Sequence, residues 1–144
     1  MKTEISDNKS IAYTKAGTFE ETRFEKIHNV IFESSHVGSI LVAHEIANLI
    51  KEKNRLNKNC VLGLATGSSP IKVYEELVRM HKEDGLSFAN VITFNLDEYF
   101  PMDKDDINSY HHFMSIHLFD HIDINKKNIH IPNGSISTEK INEY

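Results

Sequence analysis

Two short apolar runs are the clearest hydrophobic features of the chain. Residues 60–65 are apolar throughout, and residues 91–95 are apolar except at Thr93 and Asn95, without a regular alternation between hydrophobic and polar side chains. Such runs are typical of strands buried on both faces, as in a parallel sheet covered by helices. We therefore predict two neighbouring strands of a parallel sheet.

Apolar residues at three- and four-residue steps predict three amphipathic helices around these runs. The predicted helices cover residues 37–53, 70–84 and 110–119. Pro70 suits the first position of the second helix, and Gly85 suits its C-cap.

Two further strands are predicted at residues 27–33 and 128–131, and a helical pattern starts again at residues 137–144. Strands and helices therefore alternate, which predicts an α/β fold with a mostly parallel sheet and helices on both faces. Residues 1–22 are polar without a period and are expected to form a flexible N-terminal extension. The helical pattern stops abruptly at the last residue, so we expect residues 23–144 to be the N-terminal portion of a larger domain.

Charge and composition narrow the class of partner. The net charge of −5 argues against nucleic acid or an anionic membrane, although a small anionic ligand stays compatible with it. We find no signal-peptide core and no apolar run that could span a bilayer, so we expect a cytoplasmic protein. The single cysteine, Cys60, begins an apolar run and is interpreted as a small core residue.

The loop after the first apolar run has the chemistry of an anion site. Thr66, Gly67, Ser68 and Ser69 join the predicted strand to the predicted helix. Free N–H groups at a helix start attract anions, glycine allows a tight turn, and hydroxyls donate to phosphate oxygens. The loop lacks the lysine of a nucleotide P-loop and the three glycines of a dinucleotide fingerprint, which points to a small phosphorylated metabolite. The alternative is a strand-to-helix turn without a ligand.

Two carboxylates, Asp97 and Glu98, follow the second apolar run. The carboxyl ends of parallel strands meet at one edge of a sheet, so these acids are expected beside the loop at residues 66–69. Adjacent side chains of an extended segment point in opposite directions, so only one of the two is expected to face the pocket. A carboxylate there could act as a general base beside a carbonyl carbon, and the alternative is a pair of solvated acids.

Other polar clusters are weaker candidates. His117 and His121 are spaced for one helix face, but no metalloprotease glutamate lies between them, so no metal site is expected. The aspartates of residues 103–106 lack the glycine and the closing glutamate of a calcium loop.

Both strand-end loops resemble the glucosamine-6-phosphate deaminases. Residues 63–70, Gly-Leu-Ala-Thr-Gly-Ser-Ser-Pro, with Tyr74 after them, are similar to the sugar-phosphate loop of that family. Residues 83–99, which end in Asn-Leu-Asp-Glu-Tyr, are similar to its second signature. The resemblance continues at residues 108–110, 113–114, 118–124, 128–129 and 133–134.

The resemblance implies a Rossmann-like α/β fold and the conversion of glucosamine 6-phosphate to fructose 6-phosphate and ammonia in amino-sugar catabolism. It implies that Asp97 removes the C2 proton of the opened sugar and that Thr66, Gly67, Ser68 and Ser69 contact the phosphate. Glu98 and Tyr99 are candidates for supporting roles. No metal or organic cofactor is implied, and a homo-oligomer is left open. In this chain Gly67-Ser68 replaces the more usual pair of glycines.

Some motifs of the deaminase family have no counterpart in this sequence. Nothing after Gly134 resembles the glycine-rich motif that carries the family's ring-opening histidine, nor its later basic phosphate ligands. We therefore expect this chain by itself to have little or no activity. Two alternatives stay open: a 6-phosphogluconolactonase-like hydrolase, which shares the fold and the phosphate loop, and a sugar-phosphate sensor without catalysis.

Overall fold

The computed structural model describes residues 30–143, and its centre is a three-stranded parallel sheet. The strands are β1 (Cys60–Leu64), β2 (Val91–Asn95) and β3 (Ile129–His130), in the order β1-β2-β3. β1 and β2 pair in parallel over five residues, from Cys60 opposite Val91 to Leu64 opposite Asn95. The α/β fold with a parallel sheet, predicted from the sequence, is confirmed.

Three α-helices pack beside the sheet: α1 (Ser35–Arg55), α2 (Ile71–Asp84) and α3 (Tyr110–His117). Ser34 caps α1, because its Oγ accepts a hydrogen bond from the Val37 N–H. Gly85 ends α2 in the left-handed conformation with φ of 69°, as its predicted C-cap role requires. Residues 138–143, where a helical pattern was predicted, form a 3₁₀ helix instead of an α-helix.

One hydrophobic core joins the helices to one face of the sheet. It includes Ile50 of α1, Leu77 of α2, Met114 of α3 and Val91 of β2, all fully or almost fully buried. Cys60 is also fully buried, and burial raises the pKa of its thiol. This confirms the interpretation of Cys60 as a core residue.

The opposite face of the sheet is exposed within the described residues. Val61 is 60% exposed and Phe94 is 50% exposed, and the Phe94 ring stacks on the His130 ring with centroids 4.5 Å apart. The expectation of strands buried on both faces therefore holds for one face of this part of the sheet. Burial depends on which layers lie against a strand, and unbroken apolarity in the sequence does not reveal their presence.

The predicted strand at residues 27–33 divides into two parts. Residues 27–29 lie outside the described residues, whereas residues 30–33 form no strand, and Ile31 is 82% exposed. For residues 30–33 the prediction was wrong, because β-propensity yields a strand only where a neighbouring strand completes the ladder.

The proposed extension at residues 1–22 also lies outside the described part. No helix among the residues described is long and apolar enough to cross a bilayer.

Candidate active site at the carboxyl edge of the sheet

The two loops singled out by the sequence leave the sheet at the same edge. Leu64 and Asn95 are partners in the parallel register, so the segments that follow them start side by side. The Asn95 side-chain amide donates a hydrogen bond of 3.1 Å to the Leu64 carbonyl oxygen and ties the two strand ends together. The structure thus brings the loop at residues 65–70 next to the loop that begins at Leu96 and carries Asp97.

The loop at residues 66–69 leads into a helix start that lacks a side-chain cap. Pro70 occupies the N-cap position of α2 and makes no side-chain hydrogen bond, and the first turn of α2 contains no acidic residue. Among the three described α-helices, α1 and α3 each have a serine cap. The N–H groups and positive dipole end of α2 are therefore available to an anion.

The hydroxyl side chains of this loop are at least partly exposed and have no hydrogen-bond partner among the described residues. Ser68 and Ser69 are exposed and Thr66 is half-buried, and none of the three hydroxyls hydrogen-bonds to another described residue. Gly67 has a φ of 93°, whereas Ser68 is not among the described residues with positive φ. The replacement of a glycine by Ser68 therefore introduces no backbone strain, because the left-handed conformation falls on Gly67 alone.

Tyr74 anchors the base of the loop. Its hydroxyl donates a hydrogen bond of 2.5 Å to the Ala65 carbonyl oxygen, and only 2% of the residue is exposed. Burial raises the pKa of Tyr74 to about 12, so the hydroxyl stays protonated and keeps donating at every physiological pH. The loop therefore begins from a fixed point.

We expect Gly67→Ala to weaken binding of a phosphorylated ligand by about tenfold. An added Cβ would meet no atom within 4 Å, so the effect comes from the backbone, where a side chain at φ of 93° costs about 1–2 kcal/mol. Relief of that strain turns the amides of the loop away from the ligand. Calorimetric titration with the sugar phosphate measures the change.

Gly85→Ala is the matched control for Gly67→Ala. Gly85 also has positive φ, at 69°, and an added Cβ there also meets no atom within 4 Å, but it lies at the far end of α2. Both variants should lose a similar amount of stability, and only Gly67→Ala should lose affinity. Equal affinities of the two variants would show that the conformation of Gly67 does not matter for binding.

A cleft of about 420 Å³ lies between the loop at residues 66–69 and the start of α3. Thr66 and Gly67 line one side, and Tyr99, Tyr110 and His112 are among the residues on the other. The rings of Tyr99 and Tyr110 lie 4.8 Å apart, and a side-chain hydrogen bond with Tyr110 raises the pKa of Tyr99. Ser68, Ser69 and Asp97 do not line this cleft, although their loops border it.

Asp97 and Glu98 differ in their surroundings, and neither lines the cleft. Asp97 is exposed, two residues beyond the end of β2. The Glu98 side chain is only 2% exposed and lies against the first turn of α3. Burial opposes its ionisation, but hydrogen bonds from Tyr110, His111 and Tyr99 outweigh burial and lower the pKa of Glu98. Local hydrogen bonds therefore stabilise Glu98 as an anion, whereas Asp97 is exposed and has no hydrogen bond to another described residue.

The loop after Asp97 also contacts the segment that follows β3. The Met102 N–H donates to the Gly134 carbonyl oxygen at 2.8 Å, and the Ser135 hydroxyl donates to the Met102 carbonyl oxygen at 2.7 Å. Gly134 is buried against this loop. Gly134 was expected only as part of the family resemblance, and no local pattern in the sequence indicates its contact with Met102.

No metal site is formed by the residues that can be described. Among them, no group of three or more histidine, cysteine, aspartate or glutamate side chains is arranged to hold a metal ion. His117 packs against the Phe113 ring, with centroids 4.4 Å apart, and the His121 ring hydrogen-bonds to the Ile116 carbonyl oxygen. Local contacts therefore account for both histidines.

The chain is similar in sequence to members of one known protein family. A family model described as glucosamine-6-phosphate isomerases/6-phosphogluconolactonase matches residues 37–144. A glucosamine-6-phosphate deaminase-like protein of Bacteroides thetaiotaomicron is 45% identical over an alignment of 153 residues, which covers 100% of this chain and 23% of that protein. The glucosamine-6-phosphate deaminase of Mycoplasma mycoides is 51% identical over 94 residues, 65% of this chain and 38% of that protein.

Solved structures show the same relationship. A monomeric glucosamine-6-phosphate deaminase superposes with a TM-score of 0.69 at 42% identity, covering 74% of this chain and 42% of that one. The 6-phosphogluconolactonase of Thermotoga maritima superposes with a TM-score of 0.60 at 22% identity, covering 76% and 47%, which shows a shared fold. The chain thus spans between 23% and 38% of the two curated relatives named above.

Proposed function

The chain belongs to the glucosamine-6-phosphate isomerase/6-phosphogluconolactonase family, and on that premise we propose that the protein deaminates glucosamine 6-phosphate to fructose 6-phosphate and ammonia. The observation that carries the proposal is a free helix start and a free carboxylate at one edge of the sheet. Identity supports the deaminase over the lactonase: the three deaminases and deaminase-like proteins compared are 42–51% identical to this chain, and the lactonase of Thermotoga maritima is 22% identical.

In this proposal the phosphate binds at the start of α2. The amides of the loop and the hydroxyls of Thr66, Ser68 and Ser69 donate to its oxygens, and Gly67 provides the turn that brings the backbone close. The sugar then extends from the phosphate towards the loop after β2. Because the ligand is a dianion and α2 has no acidic residue in its first turn, no carboxylate of that turn competes for the N–H groups.

Asp97 acts as the general base on the open-chain sugar. Its carboxylate takes the proton from C2, and the electron pair of that C–H bond forms the C1–C2 double bond while the C1 oxygen gains a proton. A proton then returns to C1, and C2 becomes an iminium carbon. Water adds to this carbon and ammonia leaves, which yields the 2-ketone without a redox cofactor.

The domain organisation and location follow from the same proposal. Residues 23–144 contribute the phosphate loop and the base of a deaminase domain, and residues 1–22 precede it as an extension. Such a metabolic enzyme would act in the cytoplasm on a small soluble substrate.

Ammonia release from glucosamine 6-phosphate by the protein expressed from its complete gene tests the proposal. Hydrolysis of 6-phosphogluconolactone and the melting temperature with each sugar phosphate are measured in parallel. We expect ammonia release and no lactone hydrolysis. Lactone hydrolysis alone would replace the deaminase with a lactonase, whereas a raised melting temperature without turnover would indicate a sensor.

A further inference from the structure

We propose that Glu98 is a positioning residue: it ties the loop after β2 to the first turn of α3 and thereby holds Asp97 at the edge of the phosphate site. The inference rests on the proposed function, in which Asp97 is the base. It assigns to the neighbouring carboxylate a role that is separate from proton transfer.

Glu98 makes a dense set of hydrogen bonds. Its Oε1 accepts from the Tyr99 N–H at 2.9 Å and from the Tyr110 N–H at 3.0 Å. Its Oε2 accepts from the Tyr110 N–H at 3.0 Å and from the His111 N–H at 3.2 Å, and it lies 3.1 Å from His111 Nδ1. With 2% of the side chain exposed, the carboxylate depends on these groups for its solvation.

The backbone partners of Glu98 are all donors, which requires an acceptor at both oxygens. A glutamine has one acceptor oxygen and one NH₂ group, so either orientation of its amide would direct N–H towards N–H. A charged acceptor at a helix start is also stabilised by the helix dipole. The arrangement therefore selects a carboxylate and not simply a polar side chain of the same shape.

The hydrogen bonds of Glu98 restrain Asp97 through the main chain that joins the two residues. Glu98 follows Asp97 directly, so fixing the carboxylate of Glu98 restricts the backbone that carries Asp97. The far end of the same loop is fixed by Ser109, whose Oγ accepts from the His112 N–H at 3.0 Å and donates to the Lys104 carbonyl oxygen at 2.8 Å. The loop is thus held at both ends, and Asp97 lies at the end next to β2.

The same contacts assign the two neighbouring helix starts to different anions. Glu98 and Ser109 occupy the N–H groups of Tyr110, His111 and His112 at the start of α3. Within residues 30–143, the start of α2 has no such side-chain partner. A phosphate is therefore directed to α2, and the protein's own carboxylate fills the site at α3.

The test compares Glu98→Gln with Glu75→Gln in the protein expressed from its complete gene. Glu75 is an exposed residue of α2 that pairs with Lys72, so its substitution removes the same charge without touching the loop. We expect Glu98→Gln to lower kcat by about ten- to a hundredfold, because misplacement by about 1 Å costs a reaction about 10²-fold. KM should change by less than threefold, since the phosphate loop belongs to another element.

Two further measurements keep the outcomes distinct. Hydrogen exchange of the Tyr99, Tyr110 and His111 amides should accelerate at least tenfold in Glu98→Gln and stay unchanged in Glu75→Gln. If Glu98→Gln does not fold, His111→Asn removes one side-chain contact and should lower kcat in the same direction at constant KM. Absence of turnover in the wild-type protein would refute the proposed function. In that case, amide exchange would still test whether Glu98 holds the loop after β2 against the first turn of α3. Normal kcat in folded Glu98→Gln, or unchanged exchange, would overturn the inference.

Discussion

Asp97→Asn is expected to abolish ammonia release while the sugar phosphate still binds. Asparagine matches the size of aspartate but cannot accept the C2 proton, and a positioned base contributes about 10²- to 10⁴-fold to a rate. Asp97 is exposed, so its replacement should leave the folded state intact. In the protein expressed from its complete gene, steady-state ammonia release gives kcat, and calorimetric titration gives the affinity.

The control for Asp97→Asn is Asp120→Asn. Asp120 is an exposed acid in the 3₁₀ turn Phe119–His121, so the variant repeats the change of charge outside the candidate site. Its kcat should equal that of the unmodified protein. Full activity in Asp97→Asn would leave the family assignment standing and remove Asp97 from the role of base.

Gly134→Ala is expected to cause the largest loss of stability among single methyl additions. An added Cβ would clash with the Tyr99 carbonyl oxygen and would lie 2.8 Å from both the Cβ and the carbonyl oxygen of Met102. Two of these three atoms belong to the backbone, so rotation of a side chain cannot relieve the contact. Overpacking costs about 1–3 kcal/mol, and this position should lie at the upper end. Urea denaturation measures the free energy of unfolding.

Gly134→Ala should also lower kcat, because the displaced residues 99–102 follow Asp97 within the same loop. Gly38→Ala is the control, since an added Cβ there meets the Phe32 side chain at 3.1 Å, and that ring can move. Gly38 lies inside α1, where alanine is favoured over glycine by about 0.5–1 kcal/mol. Equal free energies of unfolding for Gly134→Ala and Gly38→Ala would show that residues 99–102 can move to accommodate the added methyl group at little cost.

Periodicity and turn chemistry were sufficient to predict most of the secondary structure. The β2 strand and the Gly85 C-cap of α2 both depend on residues close in sequence, and each was found where the local pattern placed it. Burial was harder to predict. Val61 and Phe94 are apolar residues in predicted strands, but their exposure depends on layers that only the tertiary structure reveals.

In the candidate site, too, local features could be predicted from the sequence, whereas contacts between residues far apart in the chain could not. Thr66 and Gly67 could be selected from the sequence because a loop between a strand and a helix has a recognisable composition. The partners of Glu98 could not, since it lies 12 residues before Tyr110 and no local motif links a strand-end acid to a later helix start. Asn95, which joins two strand ends, is separated by 31 residues from the carbonyl that it contacts.

The burial of Cys60 allows local unfolding around β1 to be followed by thiol labelling. It is the sole cysteine of these 144 residues, and both its burial and its raised pKa suppress the reactive thiolate. A thiol reagent can therefore modify the chain only when β1 separates from the core, so the labelling rate measures the free energy of that separation. Because β1 leads directly into the loop at residues 66–69, a ligand that binds this loop should slow the labelling, which allows binding to be followed without an engineered probe.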